Sequence, residues 1–153
     1  MTTIRDWKID DALEFHLLST DPYFASRRLK QYLYPDTFLN TVTILETYRD
    51  ADKQKFCIQA VTSQEKVCGF IQFEKKNDYS GEISYWIGHE YWNQGIASCA
   101  VRQMCSRVFR QFPVFMIYAR VEEKNIASQK VLLHNGFVCK EYADDIRVYH
   151  LYR

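Results

Sequence analysis

Glycine and proline are scarce in this chain, five and three in 153 residues. With few of the residues that mark linkers, and with no repeat or low-complexity tract, residues 1–153 read as one continuous domain. The prolines (Pro22, Pro35, Pro113) fall at boundaries between expected elements. An excess of charge of one sign is lacking too. Twenty basic residues against nineteen acidic leave a net charge of +1, which argues against the basic excess by which nucleic-acid binders displace counterions from phosphate. No apolar run approaches the length that spans a bilayer, and Met1-Thr2-Thr3-Ile4-Arg5-Asp6-Trp7 carries charges where a signal peptide needs an apolar stretch. A cytoplasmic protein with a small or peptidic ligand is expected, with neither nucleic acid nor membrane among its partners. Five cysteines (Cys57, Cys68, Cys99, Cys105, Cys139) are an odd number without CxxC spacing, and no pair of the four histidines makes an HExxH pattern. Neither a disulfide framework nor a metal site is expected.

What the chain does have is apolar material, 47% hydrophobic residues with 16% aromatic, enough for one core at this length. Ile4-Arg5 suggests a short first strand, and a helix from about Asp10 to Leu18 presents Ala12, Phe15 and Leu18 on one face before Ser19-Thr20-Asp21-Pro22 breaks it. A helix from Asp36 would present Phe38, Val42 and Leu45. From Lys55 the period changes to alternation. Phe56, Ile58 and Ala60, then Val67, Ile71 and Phe73 after a turn at Thr62–Lys66, predict two antiparallel strands. Asn77–Gly81 is a second turn, and Ile83, Tyr85 and Ile87 alternate with Glu82, Ser84 and Trp86 in a third strand.

The clearest helix follows: Ala97, Ala100, Val101, Met104, Cys105, Val108, Phe109 and Phe112 keep the i, i+3, i+4, i+7 rule. Phe115–Val121 reads as a strand reached through that helix, the crossover a parallel pair requires. A short helix from about Ile126 to His134 stops at Asn135-Gly136. Phe137–Tyr142 and Ile146–Leu151 close the chain as a hairpin around Ala143-Asp144-Asp145. The fold class is therefore a mixed α/β sheet with helices on both faces.

Chemistry concentrates in two segments. In Gly88-His89-Glu90-Tyr91-Trp92-Asn93-Gln94-Gly95-Ile96-Ala97-Ser98 a strand ends, the chain turns, and a helix opens with glycine and small residues. Free N–H groups and the helix dipole make such a start an anion site, and Gly95 and Ala97 allow a pyrophosphate near the backbone. Small residues that merely permit helix packing are the other reading. No Gly-Lys-Ser/Thr follows, which excludes a Walker loop, and no Rossmann fingerprint is present. The second segment, Asn125-Ile126-Ala127-Ser128-Gln129-Lys130-Val131-Leu132-Leu133-His134-Asn135-Gly136-Phe137, comes directly after a strand.

Together these segments resemble the GNAT acetyltransferases: Tyr-Trp-Asn-Gln-Gly-Ile-Ala is similar to their pyrophosphate turn, and Asn-x-x-Ser-x-x-Val-Leu-x-x-x-Gly-Phe to their downstream motif. Tyr-Trp before the turn and Asn-x-x-Ser after the strand are most similar to the ribosomal-protein N-terminal acetyltransferase (RimJ/RimL-like) branch, which also includes small-amine acetylating enzymes. The match is strong over residues 81–137, and the first fifty residues match mainly in pattern.

The resemblance implies one GNAT domain, mostly antiparallel, with one parallel pair splayed at the cofactor. Acetyl-CoA would lie where the strand ending at Ile87 parts from that ending at Val121. Its pantetheine would pair near Trp86 and Ile87, and with Asn125 and Ser128. Its pyrophosphate would lie on Trp92, Asn93, Gln94, Gly95, Ile96, Ala97 and Ser98. An amine, on a peptide N-terminus or a small molecule, would attack the thioester directly, and the protein would act as a monomer or homodimer.

The chain also departs from the family. Asn93-Gln94 stands where the branch often has Gly-Lys, so a basic group near the phosphates is lost. Leu132 stands where many GNAT enzymes carry a tyrosine acid. Ser128 is the substitute acid, or simply part of a helix start, and Asn125 reads equally as an N-cap. Glu82 is the candidate base or a solvated carboxylate; Glu122 and Glu123 could drain the proton through water. Tyr23, Phe24, Arg27, Arg28, Tyr32 and Tyr34 line the acceptor side or cover a core edge. A noncatalytic acyl-CoA sensor is the rival function.

Overall fold

The computed structural model describes residues 1–20 and 37–153; the aromatic and basic group from Tyr23 to Tyr34, offered above for the acceptor side, lies outside them. The strands are β1 (Thr2–Arg5), β2 (Phe56–Ser63), β3 (Lys66–Lys75), β4 (Ser80–Ile87), β5 (Met116–Glu122), β6 (Val138–Ala143) and β7 (Ile146–Tyr152). The helices are α1 (Ala12–Ser19), α2 (Phe38–Arg49), α3 (Ile96–Gln111) and α4 (Ile126–His134). All seven strands join one sheet in the order β1-β2-β3-β4-β5-β7-β6. Every pair is antiparallel except β4 and β5, which run parallel and are linked through α3.

Alternation along the strands divides the apolar residues between two layers. On one face Val61, Ile71, Phe73, Ile83, Ile117, Ala119 and Val121 pack with Ala100, Val101, Met104 and Val108 of α3 and Leu132 of α4. On the other, Ala60, Val67 and Phe70 pack with Phe15 and Leu18 of α1 and Leu45 of α2. The α3 stripe is thus the expected one. In α2 the expected face shifts. Thr37 caps the helix by accepting from the Asn40 N–H, Leu45 enters the core, and Phe38 in the first turn does not reach it and is 49% exposed.

Two tight turns lack glycine. Gln64 and Glu65 between β2 and β3, and Asp144 and Asp145 between β6 and β7, all hold positive φ, from 52° to 66°. Paired left-handed residues match the twist of a hairpin, so β2 and β3 extend to a two-residue loop, shorter than the spacing predicts. At the end of α4 the expected cap is present. Gly136 has φ 87°, its N–H donates to the Leu133 carbonyl, and the Phe137 N–H donates to that of Leu132, a Schellman motif.

Candidate active site

The parallel contact between β4 and β5 is brief: Ser80 faces Met116, Gly81 faces Ile117 and Glu82 faces Tyr118. Beyond Glu82, β4 continues against β3 as far as Ile87 while β5 continues against β7 as far as Glu122. The two strands therefore part into a wedge. The Gly88 N–H donates to the Cys68 carbonyl at 2.8 Å, which places the even-numbered residues of β4 in hydrogen-bonded register with β3. Ile83, Tyr85 and Ile87 then turn their backbone groups toward the β5 side. Ile87 thus faces the wedge with its backbone. Trp86 pairs with Phe70 of β3, and its ring lies in the α1/α2 layer, 6.0 Å from Phe15 and stacked 6.3 Å from Phe70.

The turn that follows is held by its own groups. Trp92 Nε1 donates to the Ile87 carbonyl at 2.8 Å, and its ring meets His89 edge-on. Gln94 Nε2 donates to the Glu90 carbonyl at 3.4 Å. Asn93 (φ 62°) and Gly95 (φ 76°) are left-handed; a Cβ on Gly95 would meet nothing within 4 Å, so glycine is favoured there by its dihedral angle and not by lack of space. Among the described residues no side chain caps α3, and its first turn carries no acidic residue. The first intrahelical bond there is from the Cys99 N–H to the Gly95 carbonyl, so the N–H groups of Gly95, Ile96, Ala97 and Ser98 have no partner within the helix. Asn135, at the end of α4, donates to the Ser98 carbonyl and Oγ at 3.2 and 3.1 Å, tying this turn to the second motif.

In that motif Asn125 is the N-cap of α4, its Oδ1 accepting from the Ser128 N–H at 3.2 Å. Ser128 Oγ lies 2.7 Å from the Tyr85 hydroxyl. Leu132, where many family members would carry a phenol, is fully buried in the α3/α4 core. The Glu122 and Glu123 carbonyls both accept from Gln129 Nε2, and the Glu123 carboxylate approaches Arg147.

On the opposite face of the wedge, the Glu82 side chain is 9% exposed against 50% for Arg120. Arg120 Nε and Nη2 donate to Glu82 Oε2 and Oε1 at 2.6 and 3.1 Å, and Lys76 Nζ stands 3.9 Å from Oε1. Hydrogen bonding to Glu82 is the main influence raising the Arg120 guanidinium above its ordinary value. Burial, then the Glu82 charge, pushes the neighbouring Tyr118 phenol up. These groups share one surface because Glu82 of β4 pairs in register with Tyr118 of β5.

A family model described as an acetyltransferase (GNAT) domain matches residues 2–138. The chain belongs to this GNAT family of N-acetyltransferases. An uncharacterized N-acetyltransferase p20 from Bacillus licheniformis is 35% identical over 65 residues, which cover 42% of this chain and 36% of that relative. Among solved structures, the RimL ribosomal L7/L12 α-N-protein acetyltransferase in complex with coenzyme A superposes with a TM-score of 0.83 at 16% identity, over 99% of this chain and 93% of that one. A spermidine N-acetyltransferase from Vibrio cholerae, in complex with CoA and spermine, gives 0.79 at 16% identity over 99% and 95%. At these identities the likeness is one of fold.

In this GNAT protein, motif reading missed the contacts between segments distant in sequence. Tyr85 meets Ser128, Arg120 meets Glu82, and Asn135 meets Ser98. The available signal was an arginine inside the otherwise apolar strand Met116–Val121. For Tyr85, alternation shows its face but no partner.

Proposed function

We propose that this GNAT protein is an acetyl-CoA-dependent N-acetyltransferase, passing an acetyl group to a primary amine by direct attack in a ternary complex. The observation that carries the reading is the parting of β4 from β5 beyond Glu82, with the uncapped start of α3 beside it. These residues fit acetyl-CoA. The four N–H groups from Gly95 to Ser98 suit a pyrophosphate, helped by the helix dipole and unopposed by any first-turn acid. The exposed side chains of Trp92, Asn93 and Gln94 border it. The backbone of Ile87, beside Trp86, and Asn125 opposite suit the pantetheine amides. The acceptor falls in one of two classes, a peptide N-terminus or a small amine, as the names of the RimL and spermidine enzymes illustrate.

When bound, acetyl-CoA supplies an acetyl thioester open to attack by an unprotonated amine. A backbone N–H on the wedge side of β4 polarises the carbonyl, as in an oxyanion hole. Glu82, on the acceptor face, takes the proton shed by nitrogen, and Arg120 holds its carboxylate in one orientation. Ser128, on the other face, gives a proton to the departing sulfur. Three cysteines are poor nucleophiles for an acetyl-enzyme route: burial raises the thiols of Cys57 and Cys68, and pushes that of Cys105 up to about 12.

A noncatalytic acyl-CoA sensor is favoured by two observations, the burial of Leu132 and the engagement of both Glu82 oxygens by Arg120. Thiol release from acetyl-CoA across peptide N-termini, polyamines, amino acids and aminoglycosides separates the two. Release with at least one amine is expected; acetyl-CoA binding without release on any of them would favour the sensor.

A further inference from the structure

The hydrogen bond between Tyr85 and Ser128 spans the wedge. Tyr85 belongs to β4, one arm, and Ser128 to the first turn of α4, which follows β5, the other arm; their oxygens are 2.7 Å apart across 43 residues of sequence. Both ends are held in place. The Tyr85 ring packs against the α3/α4 core, and the Ser128 backbone is fixed by the Asn125 cap. At 2.7 Å the separation is that of a well-formed O–H···O bond.

A serine alone is a poor acid for a sulfur leaving group. An alcohol is far less acidic than a thiol, whose reference is about 8.5 in cysteine, so donating a proton unaided would leave an alkoxide. A phenol, at about 10, is much nearer to the thiol. A hydroxyl has one proton and two lone pairs, so Ser128 can accept from Tyr85 while donating to a third atom. No phenol can come from α4 at Leu132, which is closed inside the core.

We propose that Tyr85 is the proton source for the leaving thiolate, acting through Ser128 as a positioning residue that this chain places on β4. The inference rests on the N-acetyltransferase reading above. As the C–N bond forms and the C–S bond breaks, sulfur leaves with the electron pair. Ser128 gives its hydroxyl proton to sulfur and takes the Tyr85 phenol proton in its place. Water returns a proton to the phenolate. The nitrogen sheds one proton to Glu82 or solvent, so one proton leaves nitrogen and one reaches sulfur.

The test uses the full chain with Tyr85→Phe, which keeps the packed ring, and Ser128→Ala. In turnover, Tyr85→Phe is expected to lower kcat about 10²-fold and to lose the parent's descending limb at high pH, with the KM for acetyl-CoA changed by less than about twofold. In binding, calorimetry with coenzyme A and with desulfo-coenzyme A is run from about pH 6.5 to about pH 9.5, across the thiol's ionisation. The parent is expected to prefer coenzyme A increasingly as the thiol ionises, because donation to a thiolate is charge-assisted. Tyr85→Phe should lose most of that preference and Ser128→Ala all of it. A Tyr85→Phe protein with the parent's preference and the parent's pH profile overturns the inference, as does a parent that binds both ligands equally at every pH. A parent that binds neither ligand instead removes the N-acetyltransferase reading, and this inference with it.

Discussion

The guanidinium of Arg120 closes on both carboxylate oxygens of Glu82, at 2.6 and 3.1 Å, where β4 and β5 last touch before they part. The proposed base is therefore also a tie between the two strands, and any proton it accepts competes with that pair.

Glu82→Gln is expected to lower kcat by about 10²-fold or more if Glu82 is the base, with acetyl-CoA affinity nearly unchanged. Arg120→Gln should leave the carboxylate with a weaker partner and cost about 1–3 kcal/mol of stability. Denaturant unfolding measures the second effect and a pH-rate profile the first. A Glu82→Gln profile superimposable on the parent's would leave the residue its structural tie alone.

At Gly95 two substitutions divide backbone strain from ligand repulsion. Open space surrounds the site, but φ is 76°, so Gly95→Ala and Gly95→Glu should share a stability loss of about 1–2 kcal/mol. Only Gly95→Glu should also abolish acetyl-CoA binding, because its carboxylate stands beside the N–H groups that would hold the pyrophosphate. Equal affinity of the two variants in calorimetric titration would remove this turn from the site.

Asn125 caps α4 through Oδ1, which aspartate can also do. Asn125→Asp should keep parental stability, while Asn125→Ala should lose about 0.5–2 kcal/mol. If Nδ2 also donates to the pantetheine, the aspartate variant has a raised KM for acetyl-CoA, since a carboxylate cannot donate. Melting curves and steady-state kinetics decide it: parental values in both would make this position a cap only.

Asp11 carries a pH-dependent tie between β1 and α1. Its oxygens accept from Arg5 Nη1 and Nη2 at 2.8 Å and from the Lys8 N–H. Burial works to raise its carboxyl, but the Arg5 and Lys8 bonds outweigh this and hold it below the ordinary carboxylate value. A lowered folded-state value contributes stability that is fully present above the unfolded value of about 3.9 and is lost as pH falls through the folded one. Asp11→Asn should therefore cost about 1–3 kcal/mol at neutral pH, and the gap between the unfolding free energies should shrink toward about pH 2. A gap that is constant with pH would show that the ionised form contributes nothing.

Local pattern was enough for most of the elements. The stripe on α3, the alternation of β4, and the Asn135-Gly136 stop of α4 depend on residues a few positions apart, and the structure has them where the spacing predicts. In β3 a register shift against Val61 and Thr62 instead sends Val67 to the α1/α2 layer while Ile71 and Phe73 face α3. The two motifs, read together, also carried the family. Partners were a different matter. Alternation places Tyr85 and Glu82 on opposite faces of β4, but which side chain meets each depends on the register between strands and on where α4 returns. Ser128 lies 43 residues from Tyr85 and Arg120 38 residues from Glu82, distances over which periodicity holds no information. Tertiary packing alone brought a phenol to the serine and a guanidinium to the carboxylate, because only the brief β4–β5 contact and the divergence beyond it set those four side chains against one another.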